Sequence, residues 1–270
     1  MSAPNTKDLA KQIRLSVIQM VNSGGSSHIG SILSVTDIIA VLYGSIMKYD
    51  QQNPDMEDRD RLILSKGHAG AVVYAALARC GYFSTLRLSK HCKDGSFFGG
   101  HVSHKGIPGV EVSTGSLGHG LPIAVGMAYY AKISQKNHRV FCVLGDGEMN
   151  EGSNWEAIMF ASHHNLSNLN FIIDKNNLQG CGSTEDILSL EPLDEKLKAF
   201  GCKVEVIDGH CHKALNSVLG SGEVNNKPNA IVANTVKGKG VSFMEDHVAW
   251  HYKTPIDAEY DRAVQEIKEM

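Results

Sequence analysis

The sequence predicts an α/β fold: a doubly wound, mostly parallel sheet flanked by helices, built as a single domain over residues 1–270. Short apolar runs rich in β-branched residues alternate along the chain with longer segments of helical periodicity. Several of these runs end in glycine or a small polar residue before the next helix begins, as strands do at the carboxyl edge of a parallel sheet. No internal repeat, low-complexity tract or linker divides the chain.

The composition excludes several classes of protein. With 42% hydrophobic residues and a net charge of −3, the chain is expected to be soluble and to bind neither nucleic acid nor a membrane. Six cysteines without CxxC spacing indicate reduced thiols and a cytoplasmic protein. The N-terminal region lacks the pattern of a signal peptide, and no apolar run is long enough to span a membrane.

The N-terminal part predicts two helices around a polar loop. Residues 6–23 carry an apolar stripe, with Thr6 as a candidate cap and Gly24-Gly25 as the stop. A glycine- and serine-rich loop follows, and then a helix over about 35–47 with Thr36 as a possible cap.

The next segment predicts a strand, a polar turn and a helix. A short strand over 61–64 leads into a turn containing Lys66 and His68, and an alanine-rich helix covers 69–80. This arrangement places a cation and an imidazole at the carboxyl end of the strand. Beyond it, we expect a short helix over 84–92 and an irregular stretch over 93–115.

Residues 114–120, TGSLGHG, open an apolar helix that runs to about 134. Glycine and serine at a helix start leave backbone N–H groups that suit a phosphate. The glycine order differs from that of a dinucleotide-binding fingerprint, and no Walker lysine follows.

Oxygen-bearing side chains follow two neighbouring strands in the middle of the chain. Residues 140–144 form one predicted strand, which ends before Gly145-Asp146-Gly147, and 169–173 form the next, which ends before Asn176. The carboxyl ends of parallel strands meet at one edge, so Asp146 and Asn176 should approach each other, and their oxygens suit Mg²⁺. The competing interpretation is a pair of turns rich in Asp and Asn without a metal.

The C-terminal part predicts strands over 204–207 and 230–236, with a helix around 210–220 between them. Lys237 follows the last strand, and a final helix begins near Asp257. His210, Cys211 and His212 resemble part of a zinc site, but no second ligand pair has the spacing that zinc sites use.

Four histidines lie in loops flanked by glycine or serine: His28, His68, His101 and His251. One such histidine is more often a hydrogen-bonded loop residue than a catalytic one. Four of them in turns that face a ligand favour a functional cluster.

Ordered motifs along the chain resemble those of the transketolase family. They are SSHIGS, LSKGHA, GGHVSH, TGSLGHG, GDGEMNEG, DKNNLQG, VKGKG and WHY. The resemblance implies that residues 1–270 are the thiamine-diphosphate-binding domain. The pyrimidine-binding and C-terminal domains of a full transketolase would then lie on a separate partner subunit, in an assembly of two chains of each kind (α2β2).

Roles carried over from the family fall into three groups. Mg²⁺ would be held by Asp146, Asn176 and the backbone carbonyl of Leu178. Thiamine diphosphate would contact Ser31, Lys66, His68, Gly115, Ser116, Leu117, Gly147, Glu148, Asn176, Lys237 and His251. His28, His101 and His251 would act on the reacting carbon and the sugar hydroxyls as catalytic residues.

The implied activity is transfer of a two-carbon ketol unit from a ketose phosphate to an aldose acceptor, with a glutamate from the partner starting the reaction. Pentose phosphates are the default substrates, but a specialist for a sulfo- or branched sugar would share the motifs. His119, Ile29 and Tyr252 depart from common family residues and leave the sugar open. Three competing interpretations are the α subunit of a 2-oxo acid dehydrogenase, a non-catalytic binding subunit and a zinc hydrolase.

Overall fold

Five parallel strands form one sheet in the computed structural model, which describes residues 5–221 and 226–270. The strands are β1 (Arg61–Leu64), β2 (Val140–Gly145), β3 (Leu169–Lys175), β4 (Lys203–Asp208) and β5 (Asn229–Asn234). Their order across the sheet is β1-β2-β3-β5-β4. The α/β prediction is therefore confirmed, and the strands deliver their carboxyl ends to a single edge.

Helices cover both faces of the sheet. They are α1 (Thr6–Gly24), α2 (Ile29–Ser34), α3 (Thr36–Val41), α4 (Gly70–Arg79), α5 (Gly120–Ile133), α6 (Gly152–His163), α7 (Thr184–Leu188), α8 (Leu193–Ala199), α9 (His212–Gly220) and α10 (Asp257–Glu269). Within the ranges that the structure describes, no helix combines the length and apolarity needed to cross a membrane. The short helices α7 and α8 were not predicted from the sequence.

Successive side chains of a strand point to opposite faces of the sheet, and here they form two apolar layers. Phe141 and Val143 of β2 pack in one layer with residues of α1, α3 and α4, while Cys142 and Leu144 pack in the other with residues of α5 and α6. All four side chains are fully buried. A strand buried on both faces reads as a continuous apolar run, which is why the sequence located β2 within one residue.

Two predicted helix caps are wrong. The side chain of Asn5, not Thr6, accepts the N–H of Lys7 at 3.0 Å. Thr36 donates its hydroxyl to the carbonyl of Ile32 at 2.8 Å, because the helical region begins earlier than predicted, at the start of α2. Thr6 contacts His212 Nδ1 at 2.8 Å, so both threonine hydroxyls bond to groups other than a helix N-terminus. The local sequence pattern therefore assigned the caps to the wrong residues.

The last predicted strand is also shorter than expected. Strand β5 ends at Asn234, and Thr235 and Val236 leave the sheet for the loop that carries Lys237. The hydroxyl of Thr235 donates to the carboxylate of Asp174, and its backbone N–H donates to the carbonyl of Lys175 at 3.0 Å, so this threonine still contacts the end of β3.

Asp37 on α3 forms the centre of a buried polar network. Arg14 of α1 donates to its two oxygens at 2.9 and 2.6 Å. His210 Nδ1 and His212 Nε2 approach the same carboxylate at 2.7 and 3.1 Å. Burial opposes the charge of Asp37, but the hydrogen bonds from His210, His212 and Arg14 hold its pKa well below the ordinary value.

The network joins the N-terminal helices to the loop after β5. The backbone N–H of Val236 donates to His210 Nε2 at 2.9 Å, which leaves Nδ1 as the protonated nitrogen facing Asp37. The two histidines that suggested a zinc site therefore form hydrogen bonds with the carboxylate of Asp37 instead.

Asp37→Ala should destabilise the chain by about 3–5 kcal/mol, because it leaves the buried guanidinium of Arg14 without a countercharge. Urea unfolding of the purified chain measures this loss. The matched change Asp55→Ala, at an exposed aspartate, should alter the free energy of unfolding by less than about 0.5 kcal/mol. Equal effects of the two substitutions would contradict the role of the network.

Candidate active site

A cavity of about 290 Å³ opens at the carboxyl edge of β1, β2 and β3. Most of the predicted site residues line it: His28, Ser31, Lys66, His68, His101, Gly115, Leu117, Asp146, Gly147, Glu148, Asn176, Leu178 and His251. Two predicted residues do not. Ser116 is exposed, and Lys237 is buried behind the wall formed by Leu178 and His251.

Asp146 and Asn176 meet because β2 and β3 run in register, with Gly145 opposite Asp174. One oxygen of Asp146 accepts the N–H of Gly147 at 2.8 Å, and the other accepts the N–H of Asn177 at 2.5 Å. These bonds fix the carboxylate across the ends of both strands.

The residues at this edge fit a Mg²⁺ ion. Asp146 is only 4% exposed, and none of the ion pairs found in residues 5–221 and 226–270 involves it. Burial, and next the charge of Asp174, raise the pKa of Asp146 to about 6. A buried carboxylate without a countercharge is costly, and a cation relieves that cost. With the amide oxygen of Asn176 and the carbonyl of Leu178, Asp146 offers the hard oxygens that Mg²⁺ prefers.

Asp174, by contrast, is fully compensated. It is completely buried and forms an ion pair with Lys66, and it also accepts hydrogen bonds from Ser34 at 2.6 Å and from Thr235. Burial opposes its charge, but Lys66 and these hydroxyls lower the pKa of Asp174 below its ordinary value. Lys66 was predicted to contact the cofactor; in the structure its ammonium is engaged by Asp174.

Glu148 ties the turn before α5 to the end of β2. Its carboxylate accepts the hydroxyl of Ser65, the N–H of Gly118 at 3.0 Å and the N–H of Gly145 at 3.2 Å. The N–H of Gly120 donates to Ser65 at 3.1 Å. Two backbone N–H groups that the sequence suggested for a phosphate are therefore already used, and Glu148 positions the turn.

The four loop histidines converge in the cavity. The ring centroid of His28 lies 5.1 Å from that of His68, 5.7 Å from that of His101 and 5.0 Å from that of His251. The backbone N–H of His28 donates to the carbonyl of His251 at 2.9 Å, which joins the first and last of these loops.

Three of these imidazoles are uncharged at neutral pH. Burial, followed by the charge of His101, lowers the pKa of His28 to about 4. Burial, followed by the charge of Lys237, lowers the pKa of His251 to about 3. Burial and then Lys66 also hold the pKa of His68 well below its ordinary value. A neutral imidazole can donate at one nitrogen and accept at the other, as contacts with sugar hydroxyls and proton relay require.

Sequence reasoning missed part of the cavity wall. Gln179, Gly180 and Cys181 line it directly after Leu178. Tyr252, which departs from the family pattern in the sequence but was not predicted as a site residue, also lines it; this residue is 65% exposed, and its ring centroid lies 4.9 Å from that of His251. The loop that directly follows Asn176 and Leu178, two of the predicted metal ligands, was the signal that could have identified the first three.

Acid should destabilise the chain through this histidine cluster. Because folding lowers the pKa values of His28 and His251 from 6.5 to about 4 and 3, the unfolded chain binds more protons below pH 6.5. The free energy of unfolding should therefore fall as the pH is lowered from 6.5 towards 4. The double variant His28→Asn, His251→Asn should lose less stability than the wild type between pH 7 and pH 5 in urea titrations; equal losses would contradict this assignment.

Comparisons with known proteins agree with this geometry. A family model described as the thiamine diphosphate binding domain of transketolase matches residues 5–268. The chain is 42% identical over 262 residues to one subunit of the apulose-4-phosphate transketolase of Actinobacillus succinogenes, covering 96% of this chain and 95% of that protein. It is 38% identical over 260 residues to 6-deoxy-6-sulfo-D-fructose transketolase subunit SqwG of a Clostridium species, covering 96% of this chain and 94% of that protein.

Longer transketolases match over part of their length. Human transketolase is 38% identical over 262 residues, which are 97% of this chain and 42% of that protein. The crystal structure of transketolase from Campylobacter jejuni superposes with a TM-score of 0.92 at 30% identity, covering 99% of this chain and 43% of the other. The chain thus spans under half of these longer relatives. It belongs to the transketolase family and carries that family's thiamine-diphosphate-binding domain.

Proposed function

We propose that this chain is the cofactor-binding subunit of a split transketolase, which transfers a two-carbon ketol unit from a ketose phosphate to an aldose. The observation that carries the proposal is the cavity itself. A buried carboxylate with no ion-pair partner among the described residues, two further oxygen groups and a group of neutral histidines line the same cavity.

The residues of this chain would divide the work. Asp146, Asn176 and the carbonyl of Leu178 would hold Mg²⁺, and the metal would bind the diphosphate group. When bound, thiamine diphosphate supplies the nucleophilic carbon and the electron sink for breaking a carbon–carbon bond next to a carbonyl. His28 and His251 would orient the sugar hydroxyls and move protons to and from their oxygens.

The relatives' names support a two-chain enzyme. Relatives named as single subunits of a transketolase match this chain over more than 90% of both lengths, whereas longer transketolases match over less than half of theirs. The partner would carry the pyrimidine-binding domain and the activating glutamate, and two chains of each kind would form an α2β2 assembly. The six free cysteines support a cytoplasmic location.

A specialised sugar is the second candidate substrate. The two subunit relatives from Actinobacillus and Clostridium are named for apulose-4-phosphate and for 6-deoxy-6-sulfo-D-fructose. Tyr252 stands at the cavity wall beside His251, where a bulky phenol restricts and contacts the sugar chain. The histidine cluster favours a polyhydroxylated substrate over a plain 2-oxo acid, because hydroxyl groups need hydrogen-bonding partners.

The purified chain alone, given thiamine diphosphate, Mg²⁺ and a ketose phosphate, should show no ketol transfer, because the group that activates the cofactor lies on the partner. Adding the partner subunit should restore turnover, measured as loss of ketose and formation of the new sugar. Turnover by the single chain would contradict the proposal, and so would a complex that accepts pyruvate but no ketose.

Asp146→Ala should abolish Mg²⁺-dependent binding of thiamine diphosphate by the complex, because it removes the charged ligand of the metal. Calorimetric titration at fixed Mg²⁺ measures the affinity, and circular dichroism checks that the fold persists. Asp261→Ala, at an exposed position on α10, is the matched control and should bind normally. Normal binding by Asp146→Ala would show that the metal assignment is wrong.

A further inference from the structure

Gln179 carries an unpaired donor in the wall of the cavity. Its Nε2 atom is buried and has no hydrogen-bond partner within the described ranges 5–221 and 226–270. The other unpaired buried atoms in those ranges belong to His91, His138, Asn150, Asn154 and Glu259, none of which lines this cavity. A buried amide N–H without a partner costs about 1–3 kcal/mol, so a donor kept at a binding site indicates an acceptor that arrives with a ligand.

The surrounding backbone holds Gln179 in place. Its N–H donates to the carbonyl of Gly182 at 2.8 Å, and its own carbonyl accepts the ammonium of Lys237 at 3.2 Å. The side chain packs over Gly147, where an added β-carbon would lie 2.7 Å from Cγ and 3.2 Å from Nε2 of Gln179. The amide therefore lies beside the turn that carries Asp146 and next to Leu178.

No protein group in the described ranges accepts a hydrogen bond from this amide. Both oxygens of Asp146 already accept backbone N–H groups. The two nearby cations, which could otherwise bind an anionic ligand, already have partners. Lys66 pairs with Asp174, and Lys237 donates to the carbonyls of Leu178 and Gln179. An anion bound here must thus rely on the metal and on neutral donors.

We infer that the Gln179 side-chain amide donates a hydrogen bond to an oxygen of the Mg²⁺-bound diphosphate and so helps to select the diphosphate end of the cofactor. This inference rests on the proposed function, because it needs a diphosphate at the Asp146–Asn176 edge. A hydrogen bond to a charged oxygen is stronger than one between neutral groups, which explains why an amide suffices.

Gln179→Met tests the inference, because methionine keeps the length of the side chain and removes the donor. The complex of this variant with the partner should bind thiamine diphosphate about tenfold or more weakly at fixed Mg²⁺. Inorganic diphosphate should lose affinity by a similar factor. The cofactor-free chain should melt about 2 °C higher than the wild type, because a buried unpaired donor has been removed. Gln52→Met, at an exposed glutamine, should change none of these values.

Each contrary result has a distinct meaning. Equal affinity of Gln179→Met and wild type for both ligands would overturn the inference alone. So would a lower melting temperature together with weaker binding, since that result indicates a purely structural side chain. A loss for thiamine diphosphate but not for inorganic diphosphate would place the contact elsewhere on the cofactor and overturn the assignment. A wild-type complex that binds neither ligand would overturn the proposed function, and the inference with it.

Discussion

The buried ion pair between Lys66 and Asp174 holds the carboxyl edge of the sheet together. Asp174 at the end of β3 accepts hydrogen bonds from Lys66 after β1, from Ser34 at the end of α2 and from Thr235 after β5. Four separate segments therefore meet on one carboxylate. Removing one member of a buried pair leaves an uncompensated charge, so the loops that line the cavity depend on this contact for their positions.

Two neighbouring aspartates illustrate how environment assigns roles. Asp174 has a cation and hydroxyl donors around it, and its pKa falls. Asp146, on the adjacent strand end, accepts two backbone N–H groups but belongs to none of the ion pairs of residues 5–221 and 226–270, and burial and then Asp174 raise its pKa to about 6. The first carboxylate is a structural anchor, whereas the second retains an unmet charge that suits a metal ion. The unpaired amide of Gln179 next to it belongs to the same incomplete electrostatic arrangement.

Buried positive charge also affects the histidine cluster. Lys237 donates to the Leu178 carbonyl at 2.9 Å and lies 3.1 Å from His251 Nδ1, so it joins the proposed metal site to the histidine cluster. Burial and then Lys66 lower the pKa of Lys237 to about 8, while Lys237 in turn helps to lower that of His251. Burial, reinforced by a buried cation, thus keeps the imidazoles neutral, and neutral imidazoles can exchange protons with a sugar in both directions.

The local sequence pattern by itself determined much of the fold and part of the candidate site. Apolar runs located all five strands. Four of them are largely buried and leave a continuous signal, whereas β4 at the edge of the sheet is partly exposed and shows only the short run from Val204 to Ile207. Glycine and oxygen-bearing residues after those runs predicted that Asp146 and Asn176 lie close together at the carboxyl edge of the sheet. The order of the motifs identified the family. Only the tertiary structure revealed that Lys66 is engaged by Asp174, that Glu148 fastens a turn, and that His210 serves Asp37. The partners are far apart in the sequence: 108 positions for Lys66 and Asp174, 30 for Gly118 and Glu148, and 173 for Asp37 and His210. A hydrogen-bonding side chain shows in the sequence what it can donate or accept, but folding decides which distant partner it meets.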